Sequence, residues 1–303
     1  NQRHHAQHQR HDDIHIILDS ISDVQDTHLM NDPRISVLRL IARHGNDEWF
    51  DGDRSTAYLF DLVKKTGKLP ATSQPPIGHM IEMFSELVKQ GKKLIVINCD
   101  SVLSGTYQTC CVAAKQVMDA VPGADIRVID SKAAGCSICG MANAILKKVE
   151  EEGISIDEAE AYAHDLVKRT KTYFTLDTLE YLAKGGRIGA VGALLGSIFG
   201  IRPIIHVLED GNLEPYDKVR TRKKALKRLL EIANEQGELE EIFIPNALVP
   251  EDAEYFRAEM AARHPGVPIW ITQIGTPLAA HLGPGAIGQP NTLFSKISFH
   301  SGN

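Results

Sequence analysis

The chain is predicted to be an α/β protein of two domains. An N-terminal α/β domain built on a parallel sheet covers residues 14–153, and a smaller C-terminal α+β domain with a mixed sheet covers 154–303. Three observations carry this reading. Short, near-continuous apolar runs alternate with amphipathic helical patterns through the first half, as strands of a parallel sheet covered on both faces require. Ser155-Ile156-Asp157-Glu158 forms a capping box directly after Gly153, so a fresh unit opens there. Beyond it Asp210-Gly211 separates two extended runs, the signal of an antiparallel hairpin. With 303 residues, 43% of them hydrophobic and 24% charged, the chain is long enough and apolar enough for two such cores.

The elements follow in order. Residues 1–13 are polar, with four histidines and no metal-ligand spacing, and are expected to be a disordered lead or a linker. Residues 14–18 form a first strand ending in Asp19-Ser20, and the β-branched run 35–41 a second. A helix follows over 55–65. Met80, Met83, Phe84, Leu87 and Val88 recur at helical spacing and define one buried face. Strands at 94–98 and 126–130 alternate with helices at 106–121 and 140–152. In the second domain a helix runs over 155–169 and another over 178–184, stopped by Gly185-Gly186. The hairpin pairs 203–208 with 213–219, a helix begins at 221, and a strand at 242–244, a helix from 252 and a strand at 268–272 complete the fold.

Composition excludes several functions. A net charge of −6 gives no basis for nucleic-acid binding, and no apolar run approaches the roughly 20 residues that span a bilayer. Five cysteines, an odd number, predict reduced thiols and a cytoplasmic protein. Cys136 and Cys139 have the spacing of a redox pair, but Ala133, Ala134, Gly135 and Gly140 around them fit a tightly packed helix start better. Val102 stands where a nucleophile elbow around Ser104 would need glycine. There is no phosphate loop and no His-Glu-x-x-His. Gly283-Pro284-Gly285-Ala286-Ile287-Gly288 matches a dinucleotide fingerprint only literally, since 15 residues follow it. Neither a cofactor nor a metal is expected.

Candidate site residues gather at strand ends. Ser104-Gly105-Thr106 lies where a strand hands over to a helix, whose first N–H groups lack partners and carry the positive end of its dipole. Such a turn suits a carboxylate or phosphate, and equally a plain helix cap. In a parallel sheet Asp19-Ser20, residues 99–105 and Asp130-Ser131 converge on one rim, where ligands of such sheets bind. The glycine-punctuated apolar stretch 185–200 could receive a long apolar ligand along its backbone or pack tightly against a neighbour. Arg220, Arg222 and Lys224 belong to a basic cluster that is either a solvated helix face or a dock for an acidic partner or an anionic membrane surface. His281 falls in a turn-rich loop before Gly283-Pro284-Gly285.

Several of these motifs stand in the order seen in DegV proteins. They are Ile17-Leu18-Asp19-Ser20, Leu69-Pro70-Ala71-Thr72-Ser73-Gln74-Pro75, Leu103-Ser104-Gly105-Thr106-Tyr107-Gln108, Ile129-Asp130-Ser131, residues 179–189 and His281-Leu282-Gly283-Pro284-Gly285. On them the chain is identified as a member of that family of bacterial fatty-acid-binding proteins over about residues 14 to 290. The resemblance implies a long-chain fatty acid as ligand, bound without a cofactor and presented to a fatty acid kinase subunit for acyl phosphate formation. Carboxylate-binding loops would come from 14–153 and a lipid-covering part from 154–303. Thr72, Ser73, Ser104 and the Gly105 amide would hold the carboxylate, and His281 would approach it from the second domain; Ser20, Thr106 and Arg187 are secondary candidates. The protein would then be a non-catalytic subunit. The alternative is a small-substrate enzyme related to dihydroxyacetone kinase subunits, whose fold DegV proteins share. The first motif departs from the family, reading Leu-Asp-Ser-Ile-Ser-Asp where Thr-Asp-Ser-Thr is common.

Overall fold

The computed structural model describes residues 12–195, 201–235 and 239–294. Most of the expected lead, and Gly196, Ile198, Phe199 and Gly200 of the glycine-punctuated stretch, lie outside the described residues. The first part of the chain contributes β1 (Ile14–Asp19), β2 (Ile35–Leu38), β3 (Ile41–His44), β4 (Asp47–Phe50), α1 (Thr56–Thr66), β5 (Ala71–Ser73) and α2 (Ile77–Lys89). After these come β6 (Lys93–Asn98), α3 (Thr106–Ala120), β7 (Ile126–Asp130), α4 (Cys136–Glu152) and α5 (Ile156–Arg169). The remainder supplies β8 (Tyr173–Thr175), α6 (Glu180–Lys184), β9 (Arg202–Val207), β10 (Leu213–Val219), α7 (Arg222–Asn234), β11 (Leu239–Asn246), α8 (Pro250–Arg263), β12 (Ile269–Gln273), α9 (Thr276–Leu282), β13 (Ile287–Gly288) and β14 (Asn291–Phe294).

The parallel sheet has the order β2-β1-β6-β7, and every pairing in it is parallel. Because side chains alternate along a strand, Ile16, Leu18, Ile95 and Ile97 face α4 and α5, while Ile17, Leu94 and Val96 face α2 and α3. This is why these strands read as unbroken apolar runs. The mixed sheet runs β10-β9-β8-β13-β11-β12, with β14 also on β11. Its β11–β12 pair is parallel and its other pairings antiparallel. Phe243 of β11 packs into the same core as Ile16 and Ile145, so α4 is sandwiched between the two sheets. Opposite it, Leu229 of α7 and Phe256 of α8 cover Ile242 and Ile244.

Four expectations are corrected. The run 35–41 is two strands, because Leu40 donates its N–H to Ser20 Oγ (3.0 Å) and the chain leaves the parallel sheet there. The second of these strands, β3, pairs antiparallel with β4 and β5 in a three-stranded sheet that sequence reading missed. Helix α4 starts at Cys136, ahead of 140, since Gly135 at φ 70° makes the turn that opens it. His281 lies in the last turn of a short helix, α9, which Pro277 initiates instead of interrupting.

Candidate functional site

The C-terminal ends of β1 and β6 face the mixed sheet across a cavity of ≈ 310 Å³. All three sheets contribute to its wall: Ile21 beyond β1, Leu40 between β2 and β3, Thr72 of β5, Phe174 of β8 and Ile287 of β13. Leu278 and Leu282 of α9, Leu182 of α6 and Leu213 of β10 complete a largely aliphatic lining. A volume of this order is that of a small-molecule site.

Against this apolar wall Thr72, Gln74, Ser104, Arg187 and His281 lie near one another at one end. Ser104 and Gly105 stand at the start of α3, and Gln74 Oε1 lies 3.1 Å from where a Cβ on Gly105 would be. Thr72 Oγ1 is hydrogen-bonded to His281 Nε2 at 2.8 Å. His281 Nδ1 is in turn 2.6 Å from where a Cβ on Gly185 would sit, so only glycine lets α6 approach the ring this closely. Arg187 lies at the same end, its Nε donating to Leu103 O at 3.0 Å and its Nη1 to Gly185 O. Gln74, Leu103, Ser104, Gly105 and Arg187 also line a surface groove with Gln108, Thr109, Gly185 and Gly186. The polar end of the cavity therefore adjoins the outside.

The electrostatics of this end favour an anion. Burial, assisted by the nearby Arg187 charge, pushes the His281 imidazole down to about 4, so the ring is neutral at pH 7 and holds one N–H. Its Nδ1 is buried without a hydrogen-bond partner. Arg187 brings positive charge, and α3 brings the positive end of its dipole. Ser104 Oγ accepts from Thr106 N at 3.2 Å and lies 2.8 Å from Thr106 Oγ1. It is thus both a helix cap and a lining residue, the two alternatives left open by the sequence. Burial also pushes the Cys99 thiol of the lining well up, which leaves it an un-ionised wall group.

The other expected residues lie elsewhere. Ser73 is not in the cavity wall, although its neighbours Thr72 and Gln74 are, as strand alternation dictates. That alternation is the signal by which Gln74, unassigned from sequence, could have been found. Ser20 is buried, its hydroxyl occupied by Leu40 N, and Thr106 is buried behind Ser104; neither lines the cavity. Arg222 is spent internally, donating to Asp252 and Asp177 carboxylates and to Gly285 O. Arg220 and Lys224 are exposed. Within the glycine-punctuated stretch Arg187 reaches the cavity, whereas Val191 and Leu194 are packed in the core. Cys139 is buried and donates its thiol to Ser22 O at 3.0 Å, and neither it nor Cys136 is in a disulfide. Among the described residues no His, Cys, Asp and Glu cluster could hold a metal, and no helix is long and apolar enough to cross a membrane.

A family model described as "Uncharacterised protein, DegV family" matches residues 13–289. A DegV domain-containing protein of Clostridium perfringens is 32% identical over 279 residues, 90% of this chain and 94% of that protein. The fold is similar to that of DegV, described as a fatty acid binding protein, from Bacillus subtilis, with TM-score 0.81 and 26% identity over 91% of this chain and 97% of that one. It is similar also to a DegV family protein from Thermus thermophilus, described by its fatty acid binding, with TM-score 0.80 and 26% identity over 92% and 99% of the two chains.

Proposed function

The chain belongs to the DegV family, and on that premise we propose that it binds a long-chain fatty acid with the acyl chain in the cavity and the carboxylate among Thr72, Ser104, the Gly105 amide and His281. The observation that carries the proposal is the pairing of an aliphatic cavity with a cluster of polar groups at one end, beside a surface groove. The B. subtilis and T. thermophilus relatives described as binding fatty acids support it.

Magnitudes divide the labour. Each methylene taken out of water contributes about 0.8 kcal/mol, so a dozen buried methylenes supply on the order of 10 kcal/mol. A charge-assisted hydrogen bond adds about 1.5–3 kcal/mol. The apolar wall sets the affinity and the donors set the direction in which the chain lies. With its single proton on Nε2, the neutral His281 ring donates to Thr72 Oγ1, which frees the threonine hydroxyl to donate to a carboxylate oxygen. Ser104 donates to the same head group from the α3 side.

Residues 14–153 would then carry the carboxylate-binding loops and 154–303 would cover the chain. A carboxylate held beside the groove would be presented outward, and a fatty acid kinase subunit docked there would transfer to its oxygen the terminal phosphoryl group of a nucleoside triphosphate bound to the kinase, with the nucleoside diphosphate leaving. The exposed Arg220 and Lys224 are the cations left to steer such a partner, or an anionic membrane surface, toward the protein. In this reading the protein is the carrying subunit and performs no catalysis itself.

The test is mass spectrometry of an organic extract of protein purified from bacterial cells. A long-chain fatty acid present at near one per chain is the expected result. Its absence, with a small phosphorylated or keto compound in its place, would instead favour the enzyme related to dihydroxyacetone kinase subunits.

A further inference from the structure

Helix α9 carries His281 but is only seven residues long, too short to fix its own position. Its Leu278, Ala279, Ala280 and Leu282 pack against neighbouring cores, contacts that carry no directional preference. Direction is added by a set of hydrogen bonds at its start, all involving side chains distant in sequence. Gln273 N donates to Asp26 Oδ2 at 2.6 Å and Gly275 N to Asp23 Oδ1 at 2.9 Å. Thr276 Oγ1 donates to Asp51 Oδ1 at 3.3 Å, and Thr56 Oγ1 donates to Ile274 O at 2.8 Å.

We propose that Asp23 and Asp51 are positioning residues for His281, gripping the start of α9 from the segments after β1 and β4 and so holding the imidazole on Thr72. Both carboxylates are at least nine-tenths buried, and each keeps its second oxygen, Oδ2, without a partner. They close on one point: a Cβ on Gly275 would lie 2.9 Å from Asp23 Oδ1 and 3.2 Å from Asp51 Oδ1. Asp23 adopts φ 53°, a left-handed conformation that aspartate tolerates better than most residues, which aims its side chain at Gly275 N. Burial raises both carboxyls, and the Asp51 charge raises Asp23 further. His281 follows Thr276 by five residues, roughly 7 Å along the helix, so an axial slip of α9 is felt directly in the 2.8 Å bond to Thr72.

The importance of that bond for ligand binding rests on the fatty-acid reading above; the positioning does not. The test uses the full chain with Asp23→Ala and, should that variant not fold, Thr276→Val, which removes only the hydroxyl facing Asp51. Nitrogen-15 NMR of the histidine side chains, with His281 identified by its loss in His281→Gln, reports the ring without any ligand. The expected result is a shifted His281 signal together with a palmitate affinity reduced about tenfold. That loss is expected to vanish when Thr72→Val is already present, since both substitutions break one linkage. An unshifted His281 signal, or losses that add fully to that of Thr72→Val, would overturn the proposal. A shifted signal in a protein that binds no palmitate would uphold the positioning and refute the fatty-acid reading instead.

Discussion

Ser104 accepts from Thr106 N and also faces the cavity, so its substitution separates capping from binding. Ser104→Ala is expected to lower fatty acid affinity by about tenfold to a hundredfold through loss of one charge-assisted bond. Titration of the purified variant with palmitate checks this, and an unchanged affinity would reduce Ser104 to a cap. Arg222 behaves differently from its neighbours in the basic cluster. Because it binds Asp177, Asp252 and Gly285 O, Arg222→Ala is expected to lower stability by about 1–3 kcal/mol with little effect on docking, measured by urea denaturation. Arg220→Glu with Lys224→Glu is expected to do the reverse: stability and palmitate affinity stay near those of the parent while kinase-dependent turnover falls, most at low salt. Equal turnover at low salt would remove these residues from any docking surface.

At the scale of elements, α6, α9 and β5 meet through one glycine. A methyl group on Gly185 would lie 2.6 Å from His281 Nδ1, so Gly185→Ala is expected to push the ring off Thr72 and weaken palmitate binding; retained affinity with an unmoved ring in a crystal structure of the variant would show that the contact yields easily. Much at this scale was legible in the residues. The near-continuous apolar runs of β1, β6 and β7 and the helical period of α2 depend on local pattern alone, and their strand ends meet on one rim as the topology of parallel sheets requires. What was not legible depends on partners far along the chain. β3 is separated from β2 by a bond from Leu40 N to Ser20, twenty residues earlier, and its partner β5 is three residues long and flanked by prolines. α9 was obscured because Pro277 and Gly283 are turn signals, yet they bracket a helix as readily as a loop. In the site, Ser104, Thr72 and His281 were named from their motifs. Gln74 and the grip of Asp23 and Asp51 were not, since each is defined by what lies across the cavity or the sheet seam.

For the whole molecule, the cavity exists because the strand ends of the parallel sheet, Thr72 of the three-stranded sheet and the apolar face of the mixed sheet border the same space. The seam between them also carries a pH dependence. The turn of the β9–β10 hairpin sets Gly211 against Asp100, with a Cβ site 2.2 Å from Asp100 Oδ1, and burial there, with the charges of Asp130 and Asp210, raises Asp100 from its ordinary 3.8 to about 7. A raised carboxyl contributes stability that is fully present below about pH 4 and is lost as pH rises to about 7, because the folded state holds the proton more tightly than the unfolded one. Asp100→Asn removes that loss. Relative to the parent, its urea midpoint is expected to rise between about pH 4 and about pH 7 and to level off above, and parallel midpoints would show that Asp100 titrates alike in both states.

The central claim, that a fatty acid lies with its carboxylate among Thr72, Ser104 and His281, is tested most directly by NMR of bound palmitate labelled with carbon-13 at the carboxyl. The account predicts a single carboxyl signal that does not titrate between about pH 5 and about pH 8, because donors and the Arg187 charge keep the head group ionised, and that moves in both Ser104→Ala and Thr72→Val. A signal that titrates as in free fatty acid and is indifferent to both substitutions would place the head group in solvent and contradict it.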